Sequence, residues 1–243
     1  MSTYVLCHGS WYGPSTWERV SARLLEAGHQ TVAVSYPGDA GDGTPAAQIT
    51  QQSYVDAALA AVDAAAEPVT LVGHSMGGMV IALASAARPE RVKAAVYVSA
   101  FLLPDGASIF ELSQSAPEFA TSLLPQHLQV EPDKGISSIK PEGLREAFLA
   151  DAGDEDFAWA KERTQVDYLA PSGTPVSLDG GFERVPRFYV ETGEDRAVPV
   201  EAQRKMHSEA GVEDVVEILG SHSAYITKAQ AVAQAILGFG GSA

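Results

Sequence analysis

The sequence has a single cysteine, Cys7, among its 243 residues. No intramolecular disulfide can form, and no cysteine-rich zinc site is available. Basic residues are scarce: 16 Lys and Arg stand against 31 Asp and Glu, a formal net charge of −15. A surface of that sign repels phosphate backbones and no local basic patch offsets it, so nucleic acid is not an expected partner. Only one uncharged run has membrane-like hydropathy, Pro68–Ala87. Inside it lie Gly73-His74-Ser75 and Gly77-Gly78, which read as a turn between a buried strand and a buried helix, not as a bilayer span. The N-terminus carries no cationic region and no cleavage-site pattern, so a cytoplasmic protein with no membrane partner is expected. With 22 glycines and 14 prolines the chain is neither collagen-like nor low in complexity. Its apolar residues, 46% of the total, run along its whole length, which excludes disorder and suffices for a sizeable core.

Short apolar runs alternate with helical patterns. Strands are expected at Thr3–Cys7, Gln30–Tyr36, Val69–Val72, Lys93–Ala100, Pro186–Thr192 and Asp214–Leu219, each rich in Val, Ile, Leu or aromatics, as suits burial on both faces. Ser15-Thr16-Trp17-Glu18 reads as a capping box, with Trp17, Val20, Leu24 and Ala27 on one helical face and Gly28 ending the helix. Further helices are expected from Ser53, with Val55, Leu59 and Val62 in one stripe, from Met76 to Arg88, from Pro199 to Ala210, and from Lys228 to Phe239. Strand–helix alternation predicts an α/β fold: a mostly parallel sheet of about six strands with helices on both faces. The alternation breaks from about Pro104 to Glu183, where helical patches occur at Gly143–Ala150 and Glu155–Arg163. The expected organisation is therefore a core of residues 1–103 and 185–243, with residues 104–184 as a mainly helical cap insertion.

Ser75 sits in Gly73-His74-Ser75-Met76-Gly77, a Gly-x-Ser-x-Gly motif with a strand before it and a helix after it. That setting gives a sharp turn which exposes a nucleophilic hydroxyl above the sheet. A serine hydroxyl needs a base beside it. Of six histidines, His29 follows a helix end, His74 diverges from Ser75 within the turn, His127 lies in the cap, His207 is expected on an exposed helix face, and His8 reads as structural or pocket-lining. His222 follows the last strand, at the sheet edge where ligands bind in α/β folds, and is the expected base. Asp195, after the strand before it, gives the chain order Ser…Asp…His and is the expected orienting acid. Glu194 beside it and Asp105 after the preceding strand are the alternatives. The oxyanion donors are expected to be the amides of Met76 and Ser10, and Trp11, Tyr12, Phe101, Trp159 and Tyr225 are candidates for lining an apolar pocket.

At these residues the sequence resembles the α/β-hydrolase superfamily, in the branch of plant methyl esterases, hydroxynitrile lyases and bacterial pyrethroid-type esterases. The likeness rests on Val5-Leu6-Cys7-His8-Gly9-Ser10 through Trp17, the Val72–Gly78 turn, Val96–Ala100 with Phe101, Gly193-Glu194-Asp195-Arg196-Ala197-Val198-Pro199 with Gln203, and Asp154–Ala160 in the cap. It implies Ser75, Asp195 and His222 as a triad, with Ser10 and Met76 as oxyanion residues. The lyases it resembles have a threonine where this chain has Gly9 and a lysine where it has Ser223, and an aspartate is usual where it has Ser221. The missing cation moves the reading from lyase toward ester hydrolysis. Introducing Ser223→Lys with Gly9→Thr is accordingly expected to raise cyanohydrin cleavage.

The expected activity is cofactor-free and metal-free serine hydrolysis of a carboxylic ester, lactone or thioester of a small, largely apolar compound. The alternatives are a lyase or other C–C bond enzyme using His222 as base, and a non-catalytic small-molecule-binding protein on the same fold. A small molecule is the expected partner, with a homodimer left open.

Overall fold

The computed structural model describes residues 1–240. Strand β1 (Thr3–Cys7), helix α1 (Glu18–Glu26), β2 (Gln30–Ala33), α2 (Gln51–Ala64), β3 (Val69–His74), α3 (Gly77–Ala87) and β4 (Val92–Val98) alternate. An excursion follows that holds α4 (Ile109–Ser115), β5 (Leu128–Glu131), β6 (Ile136–Ile139), α5 (Asp154–Lys161) and β7 (Asp167–Tyr168). Then β8 (Arg187–Thr192), α6 (Val200–Glu209), β9 (Val215–Ile218) and α7 (Ala229–Gly240) resume the alternation. All six expected strands pair in one parallel sheet, in the order β2-β1-β3-β4-β8-β9.

The period of two along each strand divides the core between the two faces of this sheet. Val5, Cys7, Leu71, Ala95, Tyr97 and Tyr189 pack with Val62 of α2, Val80 of α3 and Met206 of α6. Tyr4, Leu6, Val72, Val96, Val98 and Phe188 face the other way, against Val20 and Leu24 of α1 and Val232 and Ile236 of α7. Every residue of β3 is buried, whereas the edge strand β2 alternates between half-buried and exposed positions and the edge strand β9 exposes Val216 and Glu217. The uncharged run Pro68–Ala87 divides into β3 and α3 at Ser75, and no helix among the described residues is long and apolar enough to cross a membrane.

Two helix starts differ from expectation. Ser15 makes no capping box: Pro14–Trp17 form a 3-10 turn held by Thr16 Oγ1 donating to the Gly13 carbonyl, and α1 begins at Glu18. In α2 the cap is Thr50, not Ser53; the two exchange hydrogen bonds, so the helix starts one turn sooner. Gly28, at a φ of 85°, ends the chain of helical turns after α1 as expected. Helices predominate in the excursion, but it also folds a three-stranded antiparallel sheet, β5-β6-β7, which was not expected.

Candidate active site

The turn between β3 and α3 is compressed. Ser75 has a φ of 53°, in the left-handed region where a non-glycine residue is strained. Its backbone is held by the Gly78 and Phe101 amides, each donating to the Ser75 carbonyl at 3.0 Å. A Cβ on Gly73 would come within 2.6 Å of the Gly77 carbonyl oxygen, and one on Gly77 would overlap the Cys7 carbonyl. Both positions therefore demand glycine, and the crowding forces the hydroxyl of Ser75 outward over the sheet.

Ser75 lines a cavity of about 330 Å³ together with Ser10, Trp11, Phe101, Phe148, Asp167 and His222. Its walls are mostly apolar, completed by Ile109, Leu124, Leu128 and Val198 among others. His222, in the loop after β9, is buried, and its Nδ1 donates to Asp195 Oδ2 at 2.7 Å. That bond leaves Nε2 as the ring nitrogen available to the cavity. Among the described residues no hydrogen bond joins Ser75 Oγ to the imidazole, and such bonds commonly tighten only with substrate present.

Asp195 is fixed from every side. Its Oδ1 accepts from the Ala197 and Val198 amides at 2.8 Å each, and its Oδ2 from Thr192 Oγ1 at 3.0 Å and Gln203 Nε2 at 3.1 Å. A carboxylate with this many donors is fixed in place and can orient an imidazole. The two alternatives fall away: Glu194 is exposed, and Asp105 is exposed and accepts from the Leu178 amide.

Ser10 reaches the cavity from the turn after β1, next to Trp11, whose φ is 61°. Among the described residues no backbone oxygen accepts from the Ser10 or Met76 amide. Both are thus free to donate to a bound oxygen.

The other histidines are engaged elsewhere. His74 is buried, its ring 4.6 Å from that of His222, and its Nε2 donates to the His222 carbonyl at 3.0 Å. Burial, with the His222 ring beside it, pushes His74 well below the ordinary histidine range, so it acts as a neutral donor that pins the His222 backbone. His8 bonds Asp39 at 3.0 Å and the Gly9 carbonyl at 2.9 Å. His29 accepts from the Ser2 amide and His127 pairs with Glu146. His207 corrects the expectation of an exposed face: it is half-buried, 2.7 Å from the buried carboxylate of Glu191.

Of the expected pocket aromatics, Trp11 and Phe101 line the cavity. Tyr12 and Tyr225 are core residues, and Trp159 is half-buried between Arg19 and Arg163, which stack on its ring. Phe148 and Asp167 were not anticipated. Phe148 stands edge-on to His222, 5.0 Å between ring centres, and its carbonyl accepts from the Ser223 amide and Ser221 Oγ at 2.9 Å each. The Ser221 hydroxyl also reaches Asp151 of the excursion, whose other oxygen accepts from Thr227. A carboxylate is thus restored beside the His222 loop from elsewhere in the chain.

Two lyase features have no room here. A Cβ on Gly9 would lie 2.8 Å from Ser75 Cβ and 2.9 Å from His74 Nδ1, and Ser223 is fully buried outside the cavity wall. The Gly9→Thr, Ser223→Lys pair expected to introduce cyanohydrin cleavage would instead displace the Ser75 side chain and bury an unpaired cation.

The sequence is matched over residues 4–235 by a known family profile, the alpha/beta hydrolase family. The chain belongs to the alpha/beta hydrolase family. Among its relatives, salicylic acid-binding protein 2 of Nicotiana tabacum is 30% identical, over 96% of this chain and 95% of that protein. A pyrethroid hydrolase of Sphingobium wenxiniae is 27% identical, over 97% of this chain and 86% of that one. The crystal structure of a pyrethroid hydrolase from Sphingobium faniae superposes with a TM-score of 0.88 at 25% identity, covering 98% of this chain and 96% of that chain. This alpha/beta hydrolase therefore shares the fold over 98% of its length.

Proposed function

We propose that the protein is a carboxylic ester hydrolase that forms an acyl-enzyme on Ser75, acting on a small, largely apolar ester, lactone or thioester. The observation that carries this reading is the His222–Asp195 pair, 2.7 Å apart, on the cavity that Ser75 enters from the compressed turn. The relatives named as hydrolases of pyrethroids support the reaction class. Ser75 Oγ attacks the carbonyl carbon while its proton passes to His222 Nε2, and Asp195 stabilises the resulting imidazolium. The carbonyl oxygen, now negative, accepts from the Ser10 and Met76 amides, with the N-terminus of α3 directed at it. The C–O bond to the leaving alkoxide then breaks as His222 returns the proton to that oxygen. Water, deprotonated by His222, attacks the acyl carbon, releases the acid and restores Ser75 Oγ–H.

The test is hydrolysis of p-nitrophenyl butyrate by the wild type and Ser75→Ala, with fluorophosphonate labelling located by peptide mass. The expected result is one adduct, on the peptide holding Ser75, and no adduct in the variant. Turnover by Ser75→Ala near the native rate refutes the reading.

A further inference from the structure

Asp167 lines the cavity and has no part in the reaction just described. It sits at the start of β7, opposite Ser137 of β6, whose hydroxyl accepts from Trp11 Nε1 at 3.2 Å. The segment before it is fastened to the turn after β1. The Gln165 amide donates to the Trp11 carbonyl at 2.9 Å, and Gln165 Nε2 donates to the Tyr12 carbonyl and to Asp39 Oδ1 at 2.7 Å each. These bonds hold Asp167 against Ser10, the residue whose amide the proposed reaction assigns to the oxyanion.

Asp167 is only 7% exposed, and among the described residues no Lys or Arg pairs with it. The groups that face it are the Ser10 hydroxyl, the Tyr168 amide, His8 and, with the same sign of charge, Asp39. Burial, partly offset by these donors and by His8, pushes its carboxyl up to about 6, so at neutral pH it is mostly an anion. Such an anion beside the oxyanion position opposes the developing negative charge when an ester offers nothing to bind it. A substrate that brings a donor removes that opposition and fills the carboxylate's vacant acceptor positions.

We propose that Asp167 is a specificity-determining residue that accepts a hydrogen bond from a hydroxyl or ammonium group carried on the substrate one or two carbons from the reacting carbonyl. This rests on the ester-hydrolase reading of the same cavity. The preferred substrates are then hydroxy or amino esters that are otherwise apolar.

The experiment compares kcat/KM for methyl butyrate, methyl 3-hydroxybutyrate and methyl 3-aminobutyrate in the wild type, Asp167→Asn and Asp167→Ala. One charge-assisted hydrogen bond corresponds to a preference on the order of ten- to a hundredfold for a donor-bearing ester in the wild type. The ratio should collapse toward one in Asp167→Ala. In Asp167→Asn, which keeps an acceptor oxygen but no charge, the preference should fall further for the amino ester than for the hydroxy ester. In parallel, calorimetry on Ser75→Ala, with and without Asp167→Ala, measures binding of the same three esters without turnover. Hydrolysis with no donor preference in the wild type, or a preference unchanged in both Asp167 variants, overturns the inference and leaves the hydrolase reading standing. Absence of hydrolysis together with donor-selective binding that depends on Asp167 overturns the hydrolase reading and leaves this assignment in place. Absence of both overturns both.

Discussion

Neutralising Asp167 is expected to stabilise the protein by an amount that depends on pH. Its folded carboxyl titrates at about 6, against an ordinary value of 3.8, because burial disfavours the anion. A folded value above the unfolded one means that the native state holds its proton more tightly. The penalty is therefore absent below the unfolded value, grows as pH rises between the two, and is complete above the folded value. Linkage between those values gives a penalty that is small at pH 4, grows through pH 5 and reaches about 3 kcal/mol at pH 8. Asp167→Asn removes the titration and should raise the unfolding free energy by up to that amount. At pH 8 that is a rise in Tm of roughly 6–12 °C for a domain of this size. Urea unfolding followed by tryptophan fluorescence at pH 5, 6, 7 and 8 measures the difference directly. A gain that does not shrink toward acid, or a loss of stability at pH 8, would refute the argument. A side chain that weakens the fold at working pH is what a binding site retains at the expense of stability.

Ser75→Ala and His222→Ala should each lower kcat by about 10³-fold or more, and the double variant should be no slower than the worse single one, since the two act as a unit; steady-state assays of all three read this out. Gly9→Ala should cut turnover while the chain still folds, because its Cβ meets Ser75 Cβ at 2.8 Å; circular dichroism with ester assays separates the two effects. Asp151→Ala should cost about 1–3 kcal/mol in urea unfolding, since it strips the acceptor from the Thr227 hydroxyl and leaves the Ser221 hydroxyl only the Phe148 carbonyl.

The core strands were legible because burial on both faces turns them into continuous apolar runs: β3 and β4 sit between neighbours and helices on either side. Ser75 was legible for a steric reason, since Gly73 and Gly77 are fixed by backbone contacts that no other residue satisfies. The Asp195 loop likewise follows directly on β8, whose apolar run locates it. The small antiparallel sheet was not legible. In β5 the apolar Val130 is 46% exposed, and β7 is two residues long, too short for any period to register. Asp167 and Phe148 were missed with it, because their place in the cavity depends on how the excursion folds back over the sheet. His74 and Gln203 carry roles that only side-chain geometry reveals, one holding the His222 carbonyl and the other the Asp195 carboxylate.

Cys7 lies in the central part of the sheet, wholly buried on β1 between β2 and β3, with burial pushing its thiol up to about 12. A thiol reagent attacks only the thiolate, and only where it can reach it. Cys7 is the one cysteine of the chain, so its modification is a clock for the opening of that strand. The dependence of that rate on urea distinguishes a local parting of β1 from complete unfolding. Because the Cys7 carbonyl abuts Gly77, any motion that admits the reagent also loosens the turn that presents Ser75. Loss of activity and loss of the free thiol should then follow the same time course.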